Sequence, residues 1–283
     1  VVDSPRAKEA SHTSSKEILK LIFEMNMLPQ VILATMDYND FEEEIKANVG
    51  DLPTLREAKR MGISDKYIAR LWKMSERDVY NIRKENKLFP VYKMIDTCAS
   101  EFDSYVPYFY STYEQENESI VSDKKKIIVL GSGPIRIGQG IEFDYSCVHG
   151  AWAINRLGYE SIMINNNPET VSTDFDTSDR LYFEALHVDD VMNVIKKERP
   201  MGVILQFGGQ TSLNITEDLY NRSINILGTE FQYIDMAEDR EKFSELLNEL
   251  DIPTPDGYAV TTEEEAFTAV AKLKYPVMVR PSY

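Results

Sequence analysis

The sequence predicts a helical segment followed by a parallel α/β domain, and three observations carry that reading. Residues 1–122 space their apolar side chains as helices do, without the strict alternation of half-buried strands. Residues 123–229 interleave short Ile- and Val-rich runs with helical stretches, and apolar runs with little alternation are strands buried on both faces of a parallel sheet. Residues 230–283 then give helix, strand, helix and strand, the opening of a third domain.

In the first segment, KEILKLIFEM places Ile18, Leu19, Ile22 and Phe23 on one stripe, and LPQVILATMDY reads as either a strand or a broken helix. LREAKRMG ends at Gly62, a helix stop. SDKYIARLWKM and SERDVYNIRKENKL each open on a serine that can cap a helix and carry an acid in the first turn. From Cys98 the pattern dissolves into EFDSYVPYFYSTYEQENESIVSD, an ordered crossing and then a linker, with a domain boundary near Ser122.

Four strands are expected after it, KIIVL, ESIMIN, GVILQF and INIL. The stretches GIEFDYSCVHGAWAINRLG, VDDVMNVIKKERP and TSLNITEDLYNRS lie between or beside them as helices. Beyond Gly228 come MAEDREKFSELLNELDIP as a helix, GYAVT as a strand, TEEEAFTAVAKLKYP as a helix and PVMVRP as a strand. Thr262 with Glu265 forms a capping box for the second of these helices.

Composition excludes several function classes. At 283 residues, 43% hydrophobic and 28% charged, the chain has the makeup of an ordinary globular protein. No apolar run approaches the roughly 18 residues of a membrane span, so the expectation is no membrane and a cytoplasmic location. Cys98 and Cys147 stand apart with no metal-ligand spacing, as reduced structural residues. A net charge of −16 opposes general nucleic-acid binding. Basic residues do outnumber acidic ones from Arg56 to Lys87, where two short capped helices resemble a helix-turn-helix with Ala69, Leu71, Val79 and Ile82 inside. Two such helices are more commonly a plain packing unit, and no nucleic-acid partner is expected.

IIVLGSGPIRIGQGIEFDYS, from Ile127, has the outline of a nucleotide-binding turn. A dinucleotide fingerprint needs a third small residue and an acid ending the second strand, whereas here Arg136 takes the third position and Asn165, Asn166 and Asn167 end the strand. A phosphate-binding P-loop needs Gly-Lys-Ser/Thr, which is missing. The turn either closes a strand-helix connection or, with Arg136, Glu142 and Asp144 at the carboxyl edge of the sheet, lines a polar cavity. Gly208–Ser212 offers backbone donors at a helix start, His149 reads as a structural histidine, and His12 and His187 carry no signal. Asp174, Asp176 and Asp179 lack calcium-loop spacing.

Taken in order, GSGPIRIGQGIEFDYSCVH, NNNPETVSTDFDTSDRLYFE, QFGGQTSLN, AEDREKF and YPVMVRPSY resemble the second synthetase half of the large subunit of carbamoyl-phosphate synthase. FPVYKMIDTCASEFDSYVPYFYSTYE resembles the end of the helical oligomerisation domain that precedes that half, and the resemblance runs from about Leu52 to Tyr283. It implies a helical oligomerisation domain (1–122), a Rossmann-like pre-ATP-grasp α/β domain (123–229) and the incomplete start of an ATP-grasp domain (230–283). The activity it implies is ATP-dependent phosphorylation of carbamate to carbamoyl phosphate for arginine and pyrimidine synthesis. Its implied needs are ATP, Mg²⁺ or Mn²⁺, K⁺, a glutaminase small subunit and self-association through the helical domain. Arg240 and Arg280 align with arginines that contact ATP; Arg136, Gly140, Glu142 and Glu169 align with the wall of a carbamate tunnel. No complete catalytic set and no metal site are expected, and the chain by itself is expected to be inert. An assembly scaffold or part of another ATP-grasp ligase are the alternatives.

Overall fold

The computed structural model describes residues 38–96, 98, 101, 105–135 and 140–279, and KEILKLIFEM and nearly all of LPQVILATMDY lie outside them. The chain divides into two compact units at residues 82 and 83.

The first unit is built from capped helices. Asp51 Oδ2 accepts the Thr54 N–H at 2.9 Å and opens α2 (Leu52–Arg60), which follows α1 (Tyr38–Ala47). Gly62, with φ +79°, turns the chain out of α2. Ser64 Oγ accepts the Tyr67 N–H and starts α3 (Asp65–Trp72); Ser75 and Asp78 exchange bonds at the start of α4 (Glu76–Glu85). Ile45, Leu55, Ala58, Ile68, Trp72 and Val79 form the interior, and Trp72 Nε1 donates to the Ile45 carbonyl at 2.7 Å. Ala69 and Val79 are buried as expected, whereas Leu71 and Ile82 are only half-buried. A buried pair, Lys59 Nζ to Asp65 Oδ1 at 3.0 Å, joins α2 to α3.

The second unit is a six-stranded sheet in the order β1-β2-β5-β4-β3-β6. Its strands are β1 (Val91–Met94), β2 (Tyr108–Thr112), β3 (Lys126–Leu130), β4 (Glu160–Asn165), β5 (Arg180–Phe183) and β6 (Gly202–Ile204). Every pairing is parallel except β1 with β2. α5 (Glu142–Arg156) connects β3 to β4, and α6 (Val188–Glu198) connects β5 to β6. Successive strand residues alternate between two apolar layers: Ile128, Leu130, Ile162 and Ile164 face one core, Val129 and Met163 the other with Cys147, Ala151 and Ile154 of α5.

Several elements differ from expectation. VYKM and YFYST, in the segment read as helix and irregular crossing, are strands because β2 pairs with β5 and extends the sheet. RLYF is the strand β5, which four residues with a charged start do not announce. INIL contributes only the bridge from Ile226 to Val203, and GYAVT and residues 276–279 form no strand. TSLNITEDLYNRS yields two short helices, α7 (Gly209–Leu213) and α8 (Thr216–Asn221). MAEDREKFSELLNELDIP is broken at Asp239, whose extended backbone separates α9 (Phe231–Glu238) from α10 (Arg240–Glu249) and whose Oδ1 accepts the Lys242 N–H at 3.0 Å. The expected capping box is present: Thr262 Oγ1 accepts the Glu265 N–H and opens α11 (Glu263–Leu273).

Four buried charges close the amino-terminal edge of the sheet. Lys126 Nζ lies 3.1 Å from Glu198 Oε2 and 3.6 Å from Glu160 Oε2; Arg180 Nε lies 2.9 Å from Glu160 Oε1, and its Nη1 lies 3.3 Å from Glu198 Oε1. Tyr182 and Ser122 donate their hydroxyls to Glu198 and Glu160, and Arg180 also reaches the Ile120 carbonyl. Burial alone would raise the Glu160 carboxyl, yet the hydrogen bonds from Ser122 and Arg180 and the nearby cations hold it below its ordinary value. Arg180→Met leaves two buried carboxylates to one ammonium, and the expected loss is about 3–5 kcal/mol of unfolding free energy in a urea titration.

Candidate functional site

The carboxyl ends of β3, β4 and β6 meet at a glycine-rich edge. A Cβ on Gly131 would sit 2.5 Å from Asn165 Cγ, and one on Gly208 would sit 2.5 and 2.6 Å from the Gly131 and Leu130 carbonyls. These glycines are occupied with close packing of backbone and side chain rather than with an open phosphate cradle. Gly133, with φ +67°, turns the chain out of β3 and presents its N–H to Asn165 Oδ1 at 3.0 Å.

Asn165, fully buried, is the centre of this edge. Its Oδ1 also accepts from Asn166 N at 2.9 Å and Asn167 N at 3.4 Å, and its Nδ2 donates to Ser172 Oγ at 3.1 Å. Ser172 N in turn donates to Asp144 Oδ2 at 3.1 Å, in the first turn of α5. Asp144 Oδ1 is buried with no hydrogen-bond partner among the described residues.

Of the four residues aligned with a tunnel wall, Gly140 and Glu142 are brought together: a Cβ on Gly140 would collide with the Glu142 carboxylate. Glu169 lies two residues beyond Asn167, whose Oδ1 accepts the Glu169 N–H at 3.0 Å. All three are exposed. Arg136 and Arg280 lie outside the described residues, and Arg240 is the first residue of α10, directly after the capping Asp239.

The remaining candidates resolve into packing. Ser212 Oγ donates to the Leu205 carbonyl at 2.6 Å, so GGQTS closes a turn. Asp179 is taken up by Ser161, through its N–H and its hydroxyl, and no group of His, Cys, Asp or Glu among the described residues is placed to hold a metal ion. Burial pushes the Cys147 thiol up to about 12, which makes it inert at neutral pH. His149 is not a buried structural histidine: it is exposed and lies between Tyr145, in a tilted contact, and Trp152, in an edge-on one, with ring centroids 4.3 and 5.2 Å away.

Glu184, just past β5, is a residue the sequence reading passes over because the strand itself is not legible there. It is buried, and its Oε1 and Oε2 accept the Ser111 N–H at 2.5 Å and the Ser111 hydroxyl at 2.8 Å. Burial, with the neighbouring Asp190 and Asp189 charges, pushes its carboxyl from 4.5 up to about 8 against the pull of the Ser111 donors.

Family profiles match in the order of the architecture. Residues 34–87 match the carbamoyl-phosphate synthetase large chain oligomerisation domain, 123–236 the carbamoyl phosphate synthase preATP-grasp domain, and 239–283 the carbamoyl-phosphate synthase L chain ATP binding domain. A parallel α/β domain between an oligomerisation domain and an ATP-binding domain defines the class. The chain belongs to the carbamoyl-phosphate synthase large-chain family.

Among solved structures, N5-carboxyaminoimidazole ribonucleotide synthetase from Thermus thermophilus is 17% identical over 53% of this chain and 37% of that one, with a TM-score of 0.40. The biotin carboxylase domain of Hydrogenobacter thermophilus 2-oxoglutarate carboxylase is 18% identical over 54% of this chain and 34% of that one, also at 0.40. The chain thus spans about a third of the length of each.

The raised Glu184 carboxyl has a signed consequence. The folded state keeps a proton that the unfolded chain releases between about pH 4.5 and 8, so this group's contribution favours folding below that window, declines as pH rises through it and is level above it. Glu184→Gln is expected to remove that decline, read as the difference between variant and parent in urea unfolding across the same pH range.

Proposed function

We propose that this chain is part of the large subunit of a glutamine-dependent carbamoyl-phosphate synthase, within the half that phosphorylates carbamate with ATP to give carbamoyl phosphate for arginine and pyrimidine synthesis. The observation that carries the reading is the ordered run of oligomerisation, preATP-grasp and ATP-binding matches along one chain. The exposure of Gly140, Glu142 and Glu169 and the closeness of Gly140 to the Glu142 carboxylate support a wall for a small anion's route, which other parts of the subunit would cover.

Carbamate decomposes in bulk water, so its passage has to be lined by polar groups and closed to solvent. Gly140 leaves room beside the Glu142 carboxylate, and a larger side chain there has to displace that carboxylate or fill the route. Arg240 and Arg280 would hold nucleotide phosphates through charge-assisted hydrogen bonds. ATP is the implied substrate, with a glutaminase subunit supplying ammonia and the helical unit supplying self-association, as the oligomerisation match suggests. Among the described residues no group of three or more His, Cys, Asp or Glu side chains is placed to hold the implied Mg²⁺ or Mn²⁺.

Two measurements on the intact subunit with its glutaminase test the reading. Gly140→Val is expected to cut glutamine-dependent carbamoyl-phosphate formation by roughly tenfold, a barrier of about 1.4 kcal/mol, while ATP formation from ADP and carbamoyl phosphate persists. Unchanged carbamoyl-phosphate output would remove the passage from the reading. Arg240→Ala is expected to weaken ATP binding by about 1.5–3 kcal/mol, the worth of a hydrogen bond to a charged group, in a calorimetric titration.

A further inference from the structure

We propose that Asn165 is a positioning residue for the passage: its single carboxamide holds together the turn after β3, the turn after β4 that carries Glu169, and the start of α5 that carries Glu142. The inference rests on the passage reading above, and its geometry stands apart from the family matches.

The first segment is the turn after β3, fixed by Gly133 N–H to Asn165 Oδ1 at 3.0 Å. The second is the turn after β4, where the same oxygen accepts from Asn166 and Asn167 and Asn167 Oδ1 then accepts from Glu169. The third is the start of α5, reached through Ser172: Asn165 Nδ2 donates to Ser172 Oγ at 3.1 Å, and Ser172 N donates to Asp144 Oδ2 at 3.1 Å, two residues after Glu142. All three side chains of this relay are buried, whereas Gly140, Glu142 and Glu169 are exposed. Exposed side chains have no packing to hold them, so their placement is inherited from the backbone that the relay fixes.

Asparagine is the residue type this junction requires. One atom must accept from three N–H groups while the other donates to a hydroxyl, and an amide supplies both functions without a charge. An aspartate would bring a second buried carboxylate toward Asp144 and lose the donor. The fit is also steric, since a Cβ on Gly131 would meet the Asn165 side chain at 2.5 Å.

The test uses the intact subunit with its glutaminase and compares Asn165→Ala with Ser172→Ala, the milder change, which deletes one acceptor and leaves the Ser172 N–H bond to Asp144. The readout is carbamoyl phosphate formed per ATP consumed, beside ATP formation from ADP and carbamoyl phosphate. The expected result is a fall of roughly fivefold in the proportion of carbamate delivered for each variant, the factor one hydrogen bond is worth, with ATP formation unchanged. An unchanged ratio overturns the proposal, and so does an equal loss of both activities, which would mark Asn165 as a folding residue only. Gly140→Val separates the two readings: if it also leaves the ratio unchanged the passage itself fails, whereas a shift with Gly140→Val alone leaves the passage and removes Asn165.

Discussion

The interaction on which the sheet depends is the buried cluster of Lys126, Glu160, Arg180 and Glu198. The apolar pattern of β3 and β4 cannot set their register, because both faces of these strands are covered and a slip by one residue merely exchanges one apolar layer for the other. The charges can. Lys126 stands opposite Glu160, and Arg180 stands opposite Ile162, two residues along β4 from its glutamate partner. Any slip would separate a buried cation from its anion, a far larger penalty than an exchange of Ile for Met. The same cluster seizes Ser119, Ile120 and Ser122 and so anchors the segment that leads into β3.

With register fixed at one edge, the opposite edge is free for function. The strands end in a short stagger, Ile204 level with Val129 and Leu130 level with Ile164, and the chain leaves them through turns drawn close by glycines. Open α/β sheets bind ligands at this edge because the loops there converge on a rigid support. Here the support is an uncharged amide with its partners, and the charged residues Glu142 and Glu169 stand at its rim. Two buried carboxylates lie at the carboxyl end of the sheet: Asp144, with one oxygen unpartnered among the described residues, and Glu184, whose titration is lifted toward neutrality.

The helical features carried by adjacent residues were legible in the sequence. Ser64, Ser75 and Thr262 cap the helices that their spacing announces, and the capping box of α11 forms although no residue of that helix is buried. The central strands KIIVL and ESIMIN also stand where the residues place them, since their composition leaves little alternative. The candidate wall residues Gly140, Glu142 and Glu169 come from the motif resemblance alone, while the relay of Asn165, Ser172 and Asp144 depends on contacts between residues up to 28 positions apart. Sequence spacing has no means of showing such a contact.

By itself, then, the sequence determined the succession of helical and α/β parts, the caps, the paired central strands and the family. The tertiary structure decided membership of the sheet. VYKM, YFYST and RLYF became strands because neighbours offered them an edge, and INIL and GYAVT did not. It also decided that the glycines after β3 pack closely against Asn165 and Asn166. The physical reason is common to both: a cap or an apolar period is completed within a few residues, whereas a strand pairing or a buried polar contact exists only when distant segments arrive together.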